Sequence, residues 1–209
     1  MTGKFITLEG PEGAGKTVLA KRLVEALERR GRVVVSTREP GGTRLGERLR
    51  SILLEHGSGD EPSVVDPRAD ALLFNAARAQ LVAEVIRPAL ARNAVVVCAR
   101  FADSTLAYQG YGAGLPIEEL RSIQAVATGG LAPDLTILLD VPPGIGLGRK
   151  SEASRNRFES AFDLAFHERV RAGFLVLARE EPGRFRVIDS ARTIDVVAPE
   201  VIEAAISIL

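Results

Sequence analysis

The chain has 209 residues, 46% of them apolar and 26% charged, and its 27 basic side chains balance its 27 acidic ones. This neutrality argues against a general nucleic-acid or membrane-surface binder, which needs a basic excess. The apolar content is too high for a disordered chain. The only cysteine, Cys98, leaves no disulfide framework and no cysteine metal cluster. We find no signal-peptide pattern or membrane-length apolar run and expect a cytoplasmic protein.

Short apolar segments alternate with helical periodicities along the chain. The lack of alternation between polar and apolar residues in the short segments indicates strands that are buried on both faces. The predicted strands are Lys4–Glu9, Val33–Thr37, Ala94–Cys98, Leu135–Asp140 and Phe185–Ile188. The predicted helices are Lys16–Arg30, Thr43–Leu54, Pro67–Leu90, Pro116–Thr128, Ala161–Glu180 and Ala198–Ile208, with a surface loop at Glu55–Asp66. This order predicts one α/β domain over residues 1–209, with a doubly wound, five-stranded parallel sheet flanked by helices.

The segment between the first strand and the first helix matches the phosphate-binding pattern G-x-x-x-x-G-K-[ST]. Glycine-rich loops of this kind point main-chain N–H groups at an anion, and the following helix directs its positive end to the same place. We expect Lys16 on the β- and γ-phosphates and the Thr17 hydroxyl on Mg²⁺. The motif alone does not separate GTPases, ATPases, motors and kinases. The residues are Gly10, Pro11, Glu12, Gly13, Ala14, Gly15, Lys16 and Thr17.

Arginines follow the second and third predicted strands, at the edge where a doubly wound sheet binds ligands. The segment Arg38–Thr43 contains a proline and two glycines and suits a close approach to an anion, or simply a tight turn that caps a helix at Thr43. Arg50 follows on the next helix, and Arg100 directly follows the third strand. We therefore expect a second anion site beside the first.

Aromatic and polar side chains at helical spacing favour a nucleobase site. Phe74 and Arg78 share one helix face, where the ring can stack on a base and the guanidinium can bond its edge. The alternative is a core phenylalanine beside a surface arginine. Thr105, Tyr108 and Gln109 follow Arg100 at helical spacing and can read a base edge, or form an ordinary capped loop.

The segment 144–160 is rich in basic residues and follows the fourth strand. A basic flap over the phosphate-binding loop would offset the charge on a transferring phosphoryl group. The alternative is a solvated helix face. The basic residues are Arg149, Lys150, Arg155 and Arg157.

Together these segments resemble the thymidylate kinase family of P-loop nucleoside monophosphate kinases, from about Phe5 to about Leu177. The distinctive pieces are Glu9–Thr17, Thr37–Thr43, Phe74-x-x-x-Arg78, the segment Arg100–Gln109, Pro133–Thr136 and Asn156-Arg157. The resemblance implies ATP-dependent phosphorylation of dTMP to dTDP with Mg²⁺, for dTTP synthesis. It also implies a homodimer packed through helices that include Pro67–Leu90.

The resemblance implies a role for each matching residue. Glu12 would meet the sugar 3′-hydroxyl, and Tyr108 would pack near the sugar, where a 2′-hydroxyl is excluded. The acceptor phosphate would be organised by Glu39, Arg50 and Arg100, and the thymine by Phe74, Arg78, Thr105 and Gln109. The catalytic set would be Lys16, Arg100 and the lid arginine Arg157, as in the bacterial type, with Arg149, Lys150 and Arg155 in reserve.

Ala99 departs from the family pattern, which has Asp immediately before the arginine of the Arg100 motif, in the Mg²⁺ shell. Glu9 and Asp103 are the nearby carboxylates that could substitute. We expect an active enzyme with a raised Mg²⁺ requirement. The alternatives are a nucleotide kinase with another acceptor, such as dUMP or a deoxynucleoside, and a catalytically weak nucleotide-binding protein.

Overall fold

A computed structural model describes residues 3–54, 65–149, 158 and 162–209 of the chain. Its sheet has five parallel strands in the order β2-β3-β1-β4-β5, which confirms the predicted architecture. Each predicted strand is present, with ends that differ by at most one residue. The strands are β1 (Lys4–Glu9), β2 (Val34–Arg38), β3 (Val95–Ala99), β4 (Leu135–Asp140) and β5 (Phe185–Asp189).

The helices occupy the segments between the strands, as the alternating pattern predicted. Two π-helical segments, Val82–Ile86 and Leu106–Gly112, continue α3 and α5 respectively. The helices are α1 (Lys16–Glu28), α2 (Arg44–Leu54), α3 (Pro67–Leu81), α4 (Arg87–Ala91), α5 (Ala102–Thr105), α6 (Ile117–Thr128), α7 (Pro143–Gly148), α8 (Leu164–Glu180) and α9 (Ile194–Ile206). Among the described residues, no helix is both long enough and apolar enough to cross a membrane.

Alternate residues of the strands enter two hydrophobic layers, because successive side chains of a strand point to opposite faces. On β1, Ile6 and Leu8 pack with α1 and α9, whose contacts include Leu23 and Val201. Phe5 points to the other face and packs in a cluster with the end of α3 and the π-helical segment that follows it. Helices therefore cover both faces of the central strands β1, β3 and β4, which are almost entirely buried. The edge strands β2 and β5 leave several side chains exposed, so the prediction of burial on both faces is wrong for these two strands.

The predicted long helix Pro67–Leu90 is continuous, but its hydrogen-bond pattern changes near Pro88. Proline has no N–H to donate, and its ring crowds the carbonyl four residues earlier, here that of Glu84. The chain widens at this point into the π-helical segment, and Arg87 N–H donates to the Val82 carbonyl.

The last helix starts four residues earlier than predicted, at Ile194 instead of Ala198. The prediction placed Pro199 in the first turn, where proline is best tolerated. Val197 and Val201 are buried against α1, and this packing outweighs the hydrogen bond that Pro199 cannot donate. The helix α7 was not predicted, because its glycines favour a loop.

The parallel register aligns the carboxyl ends of three strands. Ala99 of β3 lies beside Leu8 of β1 on one side and Arg38 of β2 on the other. The residues that follow these strand ends, Gly10, Glu39 and Arg100, therefore meet at one edge of the sheet. This edge is where the two anion sites were predicted.

Candidate active site

A cavity of about 720 Å³ opens at this edge. Its walls bring together the phosphate-binding loop and the arginine and aromatic residues of the second predicted site. The predicted site residues that line it are Glu12, Gly13, Gly15, Lys16, Thr17, Glu39, Arg50, Phe74, Arg78, Arg100, Thr105, Tyr108 and Gln109. The other three residues of the loop, Gly10, Pro11 and Ala14, are buried and do not line the cavity. Arg157, Lys150, Arg155 and most of the predicted loop 55–66 lie outside the described residues.

The phosphate-binding loop wraps around the Lys16 ammonium, whose Nζ donates to the carbonyls of Gly10 (2.9 Å) and Pro11 (2.6 Å). Gly13 has a positive φ of 70°. A Cβ atom on Gly13 would lie 1.9 Å from the carbonyl oxygen of Gly146, so any side chain at this position would force the loop away from α7. The first turn of α1 exposes Thr17 at the cavity.

Arg100 joins the phosphate-binding loop to the second site. Its Nη2 donates to Glu12 Oε1 (2.7 Å) and to the Tyr108 hydroxyl (3.1 Å), and its Nη1 donates to the Gly10 carbonyl (3.2 Å). The Tyr108 hydroxyl donates in turn to Glu12 Oε1 (3.0 Å). Burial by itself lowers the pKa of Arg100, but Glu12, Tyr108 and Glu9 have a larger opposing effect. The pKa of Arg100 is therefore raised above its usual value, and the guanidinium stays charged. Its backbone φ of 69° is rare for a residue with a side chain.

Glu9 is fully buried beneath Arg100. One carboxylate oxygen accepts from the main-chain N–H of Phe101 and the other from the Ser104 hydroxyl, each at 2.6 Å. Burial and the nearby charge of Asp103 raise the pKa of Glu9 to about 7, against the lowering effect of these hydrogen bonds and of Arg100.

Asp103 faces away from the cavity into a buried network. Its two oxygens accept from Arg184 at 2.7 and 3.0 Å, and one of them also accepts from Thr136. Neither Asp103 nor Glu9 lines the cavity, whereas Ala99 does. Neither carboxylate therefore offers a free oxygen where the alanine has replaced the expected aspartate.

Arg78 is 1% exposed and is held from four directions. Its Nε donates to Glu39 Oε2 (2.9 Å), its Nη1 to Asn75 Oδ1 (2.9 Å), and its Nη2 to Thr105 Oγ1 (3.0 Å) and the Phe101 carbonyl (3.1 Å). The alternative of a surface arginine is therefore wrong. Arg78 and Thr105, both predicted at the base site, are in contact, and the Thr105 hydroxyl oxygen accepts a hydrogen bond from the guanidinium.

Glu39 lies in the turn after β2 and forms an ion pair with Arg78. The distance from Arg78 Nη2 to Glu39 Oε2 is 2.7 Å. Burial raises the pKa of Glu39, against the opposing effect of Arg78. The other oxygen, Oε1, is buried without a hydrogen-bond partner among the described residues. Glu39 therefore serves the guanidinium as well as lining the cavity.

Arg50 reaches the cavity from α2 and donates to the carbonyl of Pro40 at 2.8 Å. Burial and the neighbouring cations Arg38 and Arg100 lower its pKa, which Glu47 partly offsets. Arg38 itself is paired with Glu47 at 3.0 Å. Cations crowd this wall, as an anion site requires.

Aromatic side chains line the cavity together with Arg78. The Phe74 ring lies 5.9 Å from that of Phe158, which in turn makes an edge contact with Tyr108 at 5.8 Å. Gln109 is 3% exposed and lines the cavity, and its amide has no hydrogen-bond partner within the part of the chain that the structure describes. An unpaired amide next to an aromatic ring suits a planar ligand that both donates and accepts hydrogen bonds.

Sequence reasoning missed several contributors to the site, among them Asn75 and Phe158. Asn75 binds Arg78, and Phe158 lines the cavity. Arg149, considered only as a lid residue, donates to the carbonyls of Gly13 (3.1 Å), Ser190 (2.9 Å) and Ala191 (2.8 Å). It thereby ties the phosphate-binding loop to the loop after β5. Only the basic cluster at 149–157 could have signalled Arg149.

This geometry defines a P-loop nucleotide-binding protein with a second cluster of arginines in the same cavity. The sequence model of the thymidylate kinase family matches residues 8–201. The chain belongs to that family.

Named relatives cover nearly the whole chain. A thymidylate kinase of Deinococcus radiodurans is 53% identical over 201 residues, covering 95% of this chain and 94% of the relative. Another from Desulfovibrio desulfuricans is 53% identical over 196 residues, covering 90% and 88%. The crystal structure of thymidylate kinase from Ehrlichia chaffeensis is 33% identical, with a TM-score of 0.77 and coverage of 98% of this chain and 99% of that one.

Proposed function

We propose that the protein transfers the γ-phosphoryl group of ATP to dTMP, forming ADP and dTDP for dTTP synthesis. The observation that carries this proposal is a single cavity that contains a phosphate-binding loop, a separate arginine site and an aromatic-amide wall. Two phosphate-bearing ligands can meet there, one on each cationic wall.

On the donor side, the loop Gly10–Thr17 would hold the ATP phosphates. Lys16 lies at the start of α1, and its Nζ donates to two carbonyls of the loop, so phosphate oxygens held by the loop would lie within its reach. Arg149 and Arg192 line the cavity beside this loop, where the rest of the donor nucleotide would extend.

Mg²⁺ fits this site in a water-rich form. Thr17 is exposed at the cavity and supplies a hydroxyl oxygen. No group of three or more acidic, histidine or cysteine side chains that could hold a metal exists among the described residues. Because Mg²⁺ commonly keeps several waters and binds through substrate phosphates with one or two protein ligands, Thr17 and ATP suffice. The ion would neutralise the phosphates and align them.

On the acceptor side, Arg50 and Arg100 would bind the dTMP phosphate. Both arginines are only partly buried and line the same wall. Glu12 holds Arg100 at 2.7 Å and Tyr108 at 3.0 Å, so it can fix the arginine and also accept from the sugar 3′-hydroxyl. The Tyr108 ring would limit space at C2′.

Base recognition would use Phe74 as the stacking surface and Arg78 and Gln109 as hydrogen-bonding groups. A cationic guanidinium donates only, so it favours a keto oxygen over an amino group at the base edge. The Gln109 amide can donate and accept, which suits the adjacent N–H and carbonyl of thymine. Glu39 and Thr105 would act mainly by holding Arg78.

Catalysis would rest on positioning and charge neutralisation, because phosphoryl transfer needs little covalent chemistry from the protein. Arg100 orients the attacking phosphate, and Lys16 offsets charge on the transferring group. The phosphate of dTMP is already an anion, so no strong general base is required. We propose Arg157 as the lid arginine on the strength of the Asn156-Arg157 pattern, within a lid at about 144–160 of a single kinase domain, 1–209.

Measuring ADP release in a coupled assay with dTMP, dUMP, dCMP, AMP and thymidine tests the proposal. Saturable turnover with dTMP and little with the others supports it. Turnover with another acceptor instead favours a related nucleotide kinase. Binding of ATP without turnover of any acceptor favours a weak nucleotide-binding protein, the candidate motivated by Ala99.

We also propose a cytoplasmic homodimer that binds no nucleic acid and no membrane. Exposed apolar side chains on three adjacent helices support the dimer: Ile52 on α2, Leu72 on α3 and Val126 on α6 are 59%, 56% and 86% exposed. Light scattering that gives the mass of two chains supports this state, and the mass of one chain contradicts it.

A further inference from the structure

Asn75 is a buried polar side chain on α3, one residue after Phe74, with 3% exposure. A buried amide costs stability unless its donors and acceptor are satisfied. Its contacts therefore indicate what it does.

The orientation of the Asn75 amide is fixed by its two partners. Nδ2 donates to the Ala71 carbonyl at 2.8 Å, one turn earlier on α3. Oδ1 accepts from Arg78 Nη1 at 2.9 Å. The flipped amide would set an NH₂ group against the guanidinium and an oxygen against a carbonyl, so only the observed orientation is satisfied.

This contact leaves Arg78 one N–H for a ligand. A guanidinium has five N–H groups. The Nε–H is taken by Glu39, and one N–H on Nη1 by Asn75. The two N–H groups on Nη2 are shared among Thr105, the Phe101 carbonyl and Glu39 Oε2. Within the described residues, the second N–H of Nη1 has no acceptor, and Arg78 lines the cavity.

We propose that Asn75 is a positioning residue for base selectivity: by occupying one Nη1 N–H of Arg78, it leaves a single donor that matches the keto oxygen of a pyrimidine. The inference rests on the proposed role of Arg78 in base recognition. Cytosine has an amino group at the same ring position, so an N–H donor of the base would face the N–H donor of Arg78 without an acceptor between them.

Without Asn75, Nη1 has two unsatisfied N–H groups in a buried position. Such groups recruit water, because an unpaired buried donor is costly. A water molecule accepts from the guanidinium and can also accept from the amino group of cytosine. Loss of Asn75 therefore weakens thymine binding and relaxes discrimination against cytosine.

Two substitutions separate the acceptor from the shape of the side chain. Asn75→Leu keeps the approximate size but removes the acceptor, whereas Asn75→Asp keeps an acceptor for Nη1. If leucine does not pack, Asn75→Ala serves the same comparison. The matched control is Gln124→Leu on α6, which removes another buried amide; its Nε2 donates to the Ala102 carbonyl and not to a partner of the Asn75 amide.

The experiment measures kcat and KM for dTMP and dCMP, together with the Kd of both nucleotides by calorimetry. For Asn75→Leu we expect a rise of about 5–10-fold in KM and Kd for dTMP, a similar fall in the dTMP:dCMP ratio, and kcat within about twofold of the unsubstituted protein. For Asn75→Asp we expect a ratio within about threefold of the unsubstituted protein. Gln124→Leu should lower Tm without changing the ratio.

An unchanged dTMP:dCMP ratio in Asn75→Leu would show that Asn75 only stabilises α3 and would overturn the inference. Equal losses of selectivity in the leucine and aspartate variants would also overturn it, since the acceptor would then be irrelevant. Absence of dTMP turnover in the unsubstituted protein would instead defeat the proposed function, and the Kd ratios would still test Asn75.

Discussion

Replacing Glu39 by alanine removes the carboxylate that neutralises a guanidinium with only 1% of its surface exposed. The partner Arg78 cannot move into water without breaking its contacts with Asn75, Thr105 and the Phe101 carbonyl. Breaking a buried ion pair by removing one partner costs about 3–5 kcal/mol. At roughly 2–4 °C per kcal/mol for a chain of this size, the expected fall in Tm is about 6–20 °C.

The control is the exposed pair of Arg22 and Asp195, which has the same N–O distance of 2.7 Å but side chains that are 43% and 82% exposed. Asp195→Ala should cost no more than about 1 kcal/mol, because water and salt screen an exposed pair. The chain contains no tryptophan, so urea unfolding is best followed by circular dichroism. A loss below about 1 kcal/mol in Glu39→Ala, as in the control, would refute the reasoning.

A second variant tests the cause of the loss. In Glu39→Ala with Arg78→Leu, no uncompensated charge remains in the core. Replacement of a buried pair by apolar groups is often close to neutral for stability. We therefore expect the double variant to regain most of the stability lost in Glu39→Ala while binding dTMP poorly. A double variant as unstable as Glu39→Ala would indicate that lost packing, not the unpaired charge, causes the effect.

Three further predictions concern the metal, the pH dependence and the donor side. Ala99→Asp should lower the Mg²⁺ concentration that gives half-maximal activity, and identical titrations of the two proteins would contradict this. Glu9 binds its proton more tightly in the folded protein, because its pKa is raised from 4.5 to about 7. The free energy of unfolding should therefore fall by about 3 kcal/mol as the pH rises from 4.5 to 7. Glu9→Gln should flatten this dependence of the unfolding free energy on pH, measured by urea titrations from pH 4 to 8. Arg149→Ala should raise the KM for ATP about 3–10-fold and leave that for dTMP unchanged; equal changes in both would show a general distortion of the site.

The sheet was predictable because its central strands β1, β3 and β4 are buried on both faces, which produces short apolar segments between helical patterns. The details that were missed depend on tertiary packing. Burial of Val197 and Val201 overrides the helix-start signal at Pro199, and the seam between Gly13 and Gly146 explains why the glycine-rich start of the lid segment folds as α7. Local sequence preferences do not contain such contacts.

For the site, motif spacing predicted which residues meet but not how they pair. Phe74 and Arg78 share a helix face as their spacing required, yet the spacing gave no sign that Glu39, distant in sequence, would bind the guanidinium. Asn75 carried no signal, because a single asparagine in a helix is usually a surface residue. The roles of the lining residues as ligands of ATP or dTMP stay predictions.

Although the total charge of the chain is zero, the arginines of the cavity differ in whether a carboxylate neutralises them. Arg78 and Arg100 are each paired with a carboxylate, at 2.7 Å in both cases, so their burial is compensated before a substrate binds. In the described part of the chain, Arg50 has only a carbonyl partner and no carboxylate within salt-bridge distance, and burial and neighbouring cations lower its pKa. A dianionic phosphate gains most beside a cation that lacks a counter-charge, because no existing ion pair has to break. Arg50 should therefore contribute more to dTMP affinity than Arg100, whose fixed pairing with Glu12 suits it to orient the phosphate for attack.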